Sequence, residues 1–155
     1  MDEDSGDGNG AFRAGLARSA EGSVEHMTHP TEELVRRVYE EFAAGDMDGL
    51  RRDFDPEIVW HNPGRGAVAG DYRGIDDVLA FFGKVGEISA GTFTAELRDV
   101  LANDAHAVAL HVGRAQSGER TLDEINVLVI HTRQGRVSEV WEHHHDLYAV
   151  DEFWG

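Results

Sequence analysis

The chain has 155 residues, 41% hydrophobic and 28% charged, which fits one folded domain burying roughly two-thirds of its unfolded surface and excludes wholesale disorder or a fibrous repeat. Thirty acidic against 14 basic residues leave a net charge of -16, the wrong sign for a nucleic-acid backbone or an anionic membrane. The absence of cysteine excludes disulfides, thiolate metal sites and cysteine nucleophiles, and no apolar run approaches the roughly 20 residues of a membrane span, so a cytoplasmic protein is expected.

Residues 1–29 are rich in Gly, Ser and Asp, with Phe12, Leu16 and Val24 as the only large aliphatic or aromatic side chains, and are expected to be a disordered acidic tail. The folded domain then runs from 30 to 155. Thr31 is a capping residue, Glu32 and Glu33 fall in the first turn, and Leu34, Val35, Val38, Tyr39 and Phe42 recur at helical spacing up to Gly45, which predicts a first helix. Asp46 caps a short second helix that turns Leu50 and Phe54 inward and ends at Asp55-Pro56. Ile58 to His61 reads as a strand stopped by Asn62-Pro63-Gly64, and a Gly-rich loop follows through Gly70. Ile75, Val78, Leu79, Phe82 and Val85 mark a second long amphipathic helix.

The remainder alternates like strands in four runs, Thr92 to Leu101, His106 to Ala115, Thr121 to Thr132 and Arg136 to His145, joined by short hairpin-like connections. Helices followed by a meander of long antiparallel strands predict an α+β fold, a cone-shaped curved sheet wrapped around the N-terminal helices. The space enclosed by such a cone is the default ligand site.

Alternation decides which side chains see that space. In the second long strand Ala107, Ala109, His111 and Gly113 share one face, where small residues beside a single imidazole leave room for a ligand. Val108, Leu110 and Val112 share the other and suit packing against a second subunit or a layer of the fold; the reverse assignment would put His111 at an interface, and a homodimer is expected. In the last strand Trp141, His143 and His145 share one face, and Val140, Glu142 and His144 the other. Placed inward, Trp141 supplies a flat apolar wall and His143 a group that titrates near neutrality; the alternatives are a plugged core, or a bulge that swaps the faces and brings Glu142 inward. Asp123 shares a face with Ile125, Val127 and Val129; if that face is concave it orients His111 or His143 or acts as a base itself, and otherwise it is a solvated acid at a strand start. Trp60, Asn62 and Tyr72 flank the first strand and its loop, at the mouth of the hollow.

His143 and His145 have metal-ligand spacing, but no carboxylate is certain to converge on them, and no metal site or cofactor is expected. The chain also lacks a Gly-x-Ser-x-Gly elbow, a Walker-type loop and a His-Glu-x-x-His helix. Any chemistry is therefore acid–base work by histidine and carboxylate.

From about Thr31 to Trp154 the chain resembles the SnoaL-like branch of the nuclear transport factor 2-like superfamily, which includes ketosteroid isomerase and limonene epoxide hydrolase. The resemblance is carried by Ala43-Ala44-Gly45-Asp46 with Met47-Asp48-Gly49-Leu50, by Val59-Trp60-His61-Asn62-Pro63, by Gly70-Asp71-Tyr72-Arg73-Gly74, by Gly135-Arg136-Val137 leading to Trp141, and by the closing Asp146 to Trp154. It implies the cone fold but no one activity. The isomerase's base aspartate falls on Asn62 and its protonated aspartate near Val127, so steroid isomerisation is not implied. The epoxide hydrolase's pocket Tyr and Asn fall on Trp60 and Asn62, and its two carboxylates near His111 and His143.

Together these features predict a protein that binds a small apolar, cyclic molecule between Trp60, Asn62, Tyr72 and Trp141. His111, His143 and Asp123 are the candidate catalytic residues for cofactor-free isomerase, cyclase or hydrolase chemistry. The alternative is a non-catalytic ligand-binding or dimerisation module.

Overall fold

The computed structural model describes residues 28–155; the tail expected over residues 1–29 lies outside the described residues except for its last two. The first helix, α1 (Pro30–Ala44), begins at His29, whose ring Nδ1 accepts the Thr31 N–H. Thr31 is thus not the cap: Pro30, with its fixed φ and no N–H to satisfy, starts the helix one residue earlier. Gly45 ends it at a φ of 67°, a left-handed conformation that suits glycine. In α2 (Met47–Asp53) the Asp46 side chain accepts the Gly49 N–H. Strand β1 (Phe54–Asn62) follows directly, with Pro56 inside it where the pairing register shifts, a position that spares a ladder hydrogen bond.

A short strand, β2 (Gly70–Arg73), occupies the end of what reads as loop, pairing Tyr72 with Trp60. Then come α3 (Ile75–Ile88), the long strands β3 (Thr94–Ala102), β4 (His106–Ser117), β5 (Arg120–Arg133) and β6 (Arg136–His144), and a closing helix α4 (Leu147–Trp154). The described residues form four helices and a curved, unclosed sheet in the order β2-β1-β6-β5-β4-β3, antiparallel except for the parallel β1–β6 pair. No helix among them is long and apolar enough to cross a membrane.

The helices cover the concave face of the sheet. Leu34 and Val35 of α1, Leu50 of α2, Val78, Phe81 and Val85 of α3 and Phe153 and Trp154 of α4 pack there against Phe54, Ile58, Leu128, Ile130, Val137 and Val140. Ala107, Ala109, His111 and Gly113 of β4 are buried on this face, and Val108, Leu110 and Val112 alternate outward.

The last strand departs from simple alternation. Thr132 pairs with Val137 and His131 with Glu139, so Ser138 is an extra residue, a β-bulge whose Oγ donates to the His131 carbonyl. Counting by twos from the buried Val137 would turn Glu139, Trp141 and His143 inward. The bulge shifts parity by one, and Val140, Glu142 and His144 face the concave side instead.

Candidate active site

Between the helices and the sheet lies a cavity of about 100 Å³. Its walls are largely aromatic and aliphatic: Val38 and Phe42 from α1, Trp60 from β1, Phe81 and Phe82 from α3, with Phe93 and Trp154 closing the far side. The polar groups come from one region of the sheet. The ladder places His111 of β4 opposite Asn126 of β5, and Asn126 opposite His144 of β6. Glu124 lies two residues from Asn126, Glu142 two from His144, and Asn62 ends β1 alongside, so six polar side chains converge on one wall of an otherwise apolar chamber.

Their hydrogen bonds fix their states. Asn62 Nδ2 donates to the Val68 carbonyl at 3.1 Å, which turns its Oδ1 towards His144 Nε2 at 3.0 Å. His144 Nδ1 meets Glu124 Oε1 at 2.6 Å. Both ring nitrogens face acceptors, so both carry protons and His144 is an imidazolium. Burial disfavours that charge, but the bonded Glu124 and the nearby Glu142 outweigh burial and raise the pKa of the ring.

Glu142 accepts from Trp60 Nε1 at 2.9 Å and from Asn126 Nδ2 at 2.8 Å. Glu142 is half-buried and lines the cavity. Burial pushes its pKa up, against the opposing pull of His144 and the two donors. From α1, Tyr39 Oη reaches to 2.7 Å from His111 Nδ1 on β4. Burial, then the positive His144, bring His111 down to about 4, so its ring is neutral at physiological pH. Burial holds the Tyr39 phenol protonated. Among the described residues the hydroxyl has no other partner, so it donates to Nδ1 and leaves the proton of the neutral ring on Nε2.

Of the residues singled out in the sequence, His111, Trp60 and Asn62 line this cavity. Four others do not. Trp141 lies on the outer face, its ring stacked on His61 at 5.3 Å and 17°, and His143 is exposed there, because the Ser138 bulge reverses the parity of β6. Asp123 is exposed on the same outer face, 3.5 Å from the Arg114 guanidinium, because alternation along β5 turns Leu122, Glu124 and Asn126 inward. Tyr72 stacks against the back of Phe81 at 4.4 Å and donates to the Val68 carbonyl, which supports the wall from behind. His143 and His111 stand on opposite faces of the sheet and cannot share a metal ion.

Glu124, Asn126, His144 and Tyr39 are not among the residues expected at the site, and Glu142 enters only through the bulge alternative for the last strand, which is the arrangement the structure has. A signal for two of them was present: on the inward face of β5, Leu122, Leu128 and Ile130 flank Glu124 and Asn126, two polar residues in a core-facing row. The bulge that brings Glu142 and His144 inward leaves no mark in the hydrophobic pattern.

The chain matches the SnoaL-like domain family model over residues 35–140. An uncharacterized protein of Mycobacterium tuberculosis is 35% identical over 123 residues, 79% of this chain and 94% of that protein. Among solved structures, Bal32a from a soil-derived mobile gene cassette is 41% identical with a TM-score of 0.79, covering 81% of this chain and 97% of that one. IdmH from Streptomyces antibioticus, a proposed polyketide cyclase, shares the fold at 20% identity and a TM-score of 0.65, over 79% of this chain and 96% of its own. The chain belongs to the SnoaL-like family and has the nuclear transport factor 2-like fold.

Proposed function

We propose that the protein is a cofactor-free acid–base catalyst acting on a small apolar carbonyl compound. The observation that carries this reading is the Glu142 carboxylate, set beside an aromatic cavity and held by two donors. Burial pushes the Glu142 carboxyl up, which makes its carboxylate a stronger base than one in water, while Trp60 Nε1 and Asn126 Nδ2 donate to the ionised form and favour it. Glu142 takes a proton from carbon next to the substrate carbonyl, and the electron pair of that C–H bond moves onto the carbonyl oxygen. The His111 Nε2–H steadies the resulting enolate oxygen, a task suited to a neutral ring that stays protonated at Nε2. Where a double bond conjugates with the enolate, return of the proton from Glu142 to its far carbon gives isomerisation; attack of the enolate carbon on a second carbonyl gives cyclisation, the new alkoxide taking the proton back from Glu142. The imidazolium of His144, bound to Glu124, steadies the negative charge of Glu142 without transferring a proton.

The volume of about 100 Å³ is less than the roughly 150 Å³ cavity known to take benzene, so the substrate is about one ring, or one ring of a larger molecule. Its admission displaces the half-buried Phe42, Phe82 and Phe93. The solved IdmH neighbour supports cyclase-like chemistry by shared fold alone. Deuterium incorporation next to the carbonyl of cyclohexanone in D2O, followed by NMR, tests the reading. The protein is expected to accelerate exchange and Glu142→Gln to lose about 100-fold or more of that acceleration; a variant as active as the parent overturns the assignment.

We further propose that the outer sheet face pairs two copies of the chain. Leu101, Leu110 and Ile125 are exposed there, next to Val112 and Val127, an apolar surface of the kind that monomers rarely leave open. A binding module without turnover would use the same cavity and the same pairing, differing only in an idle Glu142.

A further inference from the structure

Among the described residues, three buried side-chain oxygens have no hydrogen-bond partner: Glu41 Oε2, Glu124 Oε2 and Asn126 Oδ1. The first belongs to an ion cluster between α1 and α2. The other two belong to side chains that line the cavity, two residues apart on the inward face of β5. A buried acceptor left without a donor costs about 1–3 kcal/mol, and native structures seldom carry two together without a water, ion or ligand to satisfy them. Their partners within the protein are already committed. Asn126 spends its Nδ2 on Glu142, Glu124 spends its Oε1 on His144, and both His144 nitrogens are used. These two oxygens are left without donors.

Charge narrows the ligand further. Glu124 and Glu142 repel an anion, and His144, with no free N–H, has nothing to offer one. An ammonium would lose its hydration against aromatic walls beside carboxylates that His144 already partly neutralises, a greater cost than desolvating a hydroxyl. The cavity volume limits the ligand to about one ring. We propose that the ligand is a neutral single-ring molecule with two hydroxyl donors, a diphenol or the enol form of a cyclic diketone, whose donors satisfy Asn126 Oδ1 and Glu124 Oε2. This rests on the cavity being the ligand site, and it gives the proposed reaction a substrate class: a hydroxylated ring whose carbonyl or enol oxygen reaches His111.

Three probes share a ring and a heavy-atom count and differ only in donors: m-xylene, m-cresol and resorcinol. Calorimetric titration of the full chain is expected to rank them resorcinol, then m-cresol, then m-xylene, with at least tenfold between the extremes, and to find benzoate and benzylamine weaker than resorcinol. Asn126→Leu is expected to cut the resorcinol preference over m-cresol to under twofold. The series on the unsubstituted chain decides alone if that variant fails to fold. Binding of m-xylene as tight as that of resorcinol, or tighter binding of benzylamine or benzoate, overturns the donor assignment while leaving the cavity a ligand site. Failure of every ring to bind overturns both, and loss of exchange in Glu142→Gln remains a separate test of the base.

Discussion

Replacing Gly113 with alanine should stabilise the fold and damage the site. Gly113 is buried in the middle of β4 and lines the cavity, and a Cβ added to it would meet the Phe93 ring at 3.6 Å and His111 Nε2 at 4.0 Å, ordinary contact distances. The new methyl fills space that is otherwise empty, worth about 0.8 kcal/mol by burial. Removing a glycine from a strand adds about 0.5–1 kcal/mol by restricting the unfolded chain. The sum is roughly 1.5 kcal/mol, or a rise in Tm of roughly 5 °C for a domain of this size. Urea denaturation followed by tryptophan fluorescence measures the first effect, and calorimetric titration with resorcinol measures the second, where weaker binding is expected because the methyl stands against His111 Nε2. Destabilisation would mean that the cavity wall is already close-packed at this point, and unchanged ring binding would mean that the ligand does not occupy the space next to His111.

The His144–Glu124 pair makes stability depend on pH. The folded pKa of His144 is raised, so its contribution is full below the unfolded value near 6.5 and is lost as pH rises through the folded value; Glu124→Gln is expected to flatten that decline above the unfolded value in urea midpoints. Glu41, pushed up to about 7 by burial and by its neighbour Asp53, also binds a proton more tightly in the folded state than in the unfolded one, and stability falls as pH rises from about 4.5 through 7. Glu41→Gln should therefore stabilise at pH 8 and change little at pH 4.5, in contrast to Arg37→Met, which removes the 2.8 Å partner of Asp53 and should destabilise most at pH 8. Leu110→Glu on the outer sheet face is expected to convert a dimer into a monomer in sedimentation at micromolar concentration; an unsubstituted chain that sediments as a monomer would refute the pairing.

Much of the fold is legible in the sequence because the longest elements have the clearest periodicity. Leu34, Val35, Val38 and Phe42 mark α1, Val78, Leu79, Phe82 and Val85 mark α3, and β4 and β5 alternate without interruption over 12 and 14 residues. Short elements escape: β2 is the four residues Gly-Asp-Tyr-Arg, with one residue to contribute to the core, and α4 follows a run of histidines that reads as strand. In the site, His111 is legible because Ala107, Ala109 and Gly113 around it are too small to fill a core. Glu142 and His144 are not, because their side of the sheet depends on one extra residue at Ser138. The attention drawn by Trp141 and His143 follows from the same cause, since an unbulged strand would have carried them inward with Val137.

The most direct measurement is the titration of the Glu142 side-chain carboxyl by 13C NMR, assigned by comparison with Glu142→Gln. A carboxyl set beside the cavity should titrate clearly above the ordinary glutamate value of about 4.3. A midpoint at or below that value would mean that water reaches Glu142 freely, and the chamber would then hold no base suited to the proposed proton transfer.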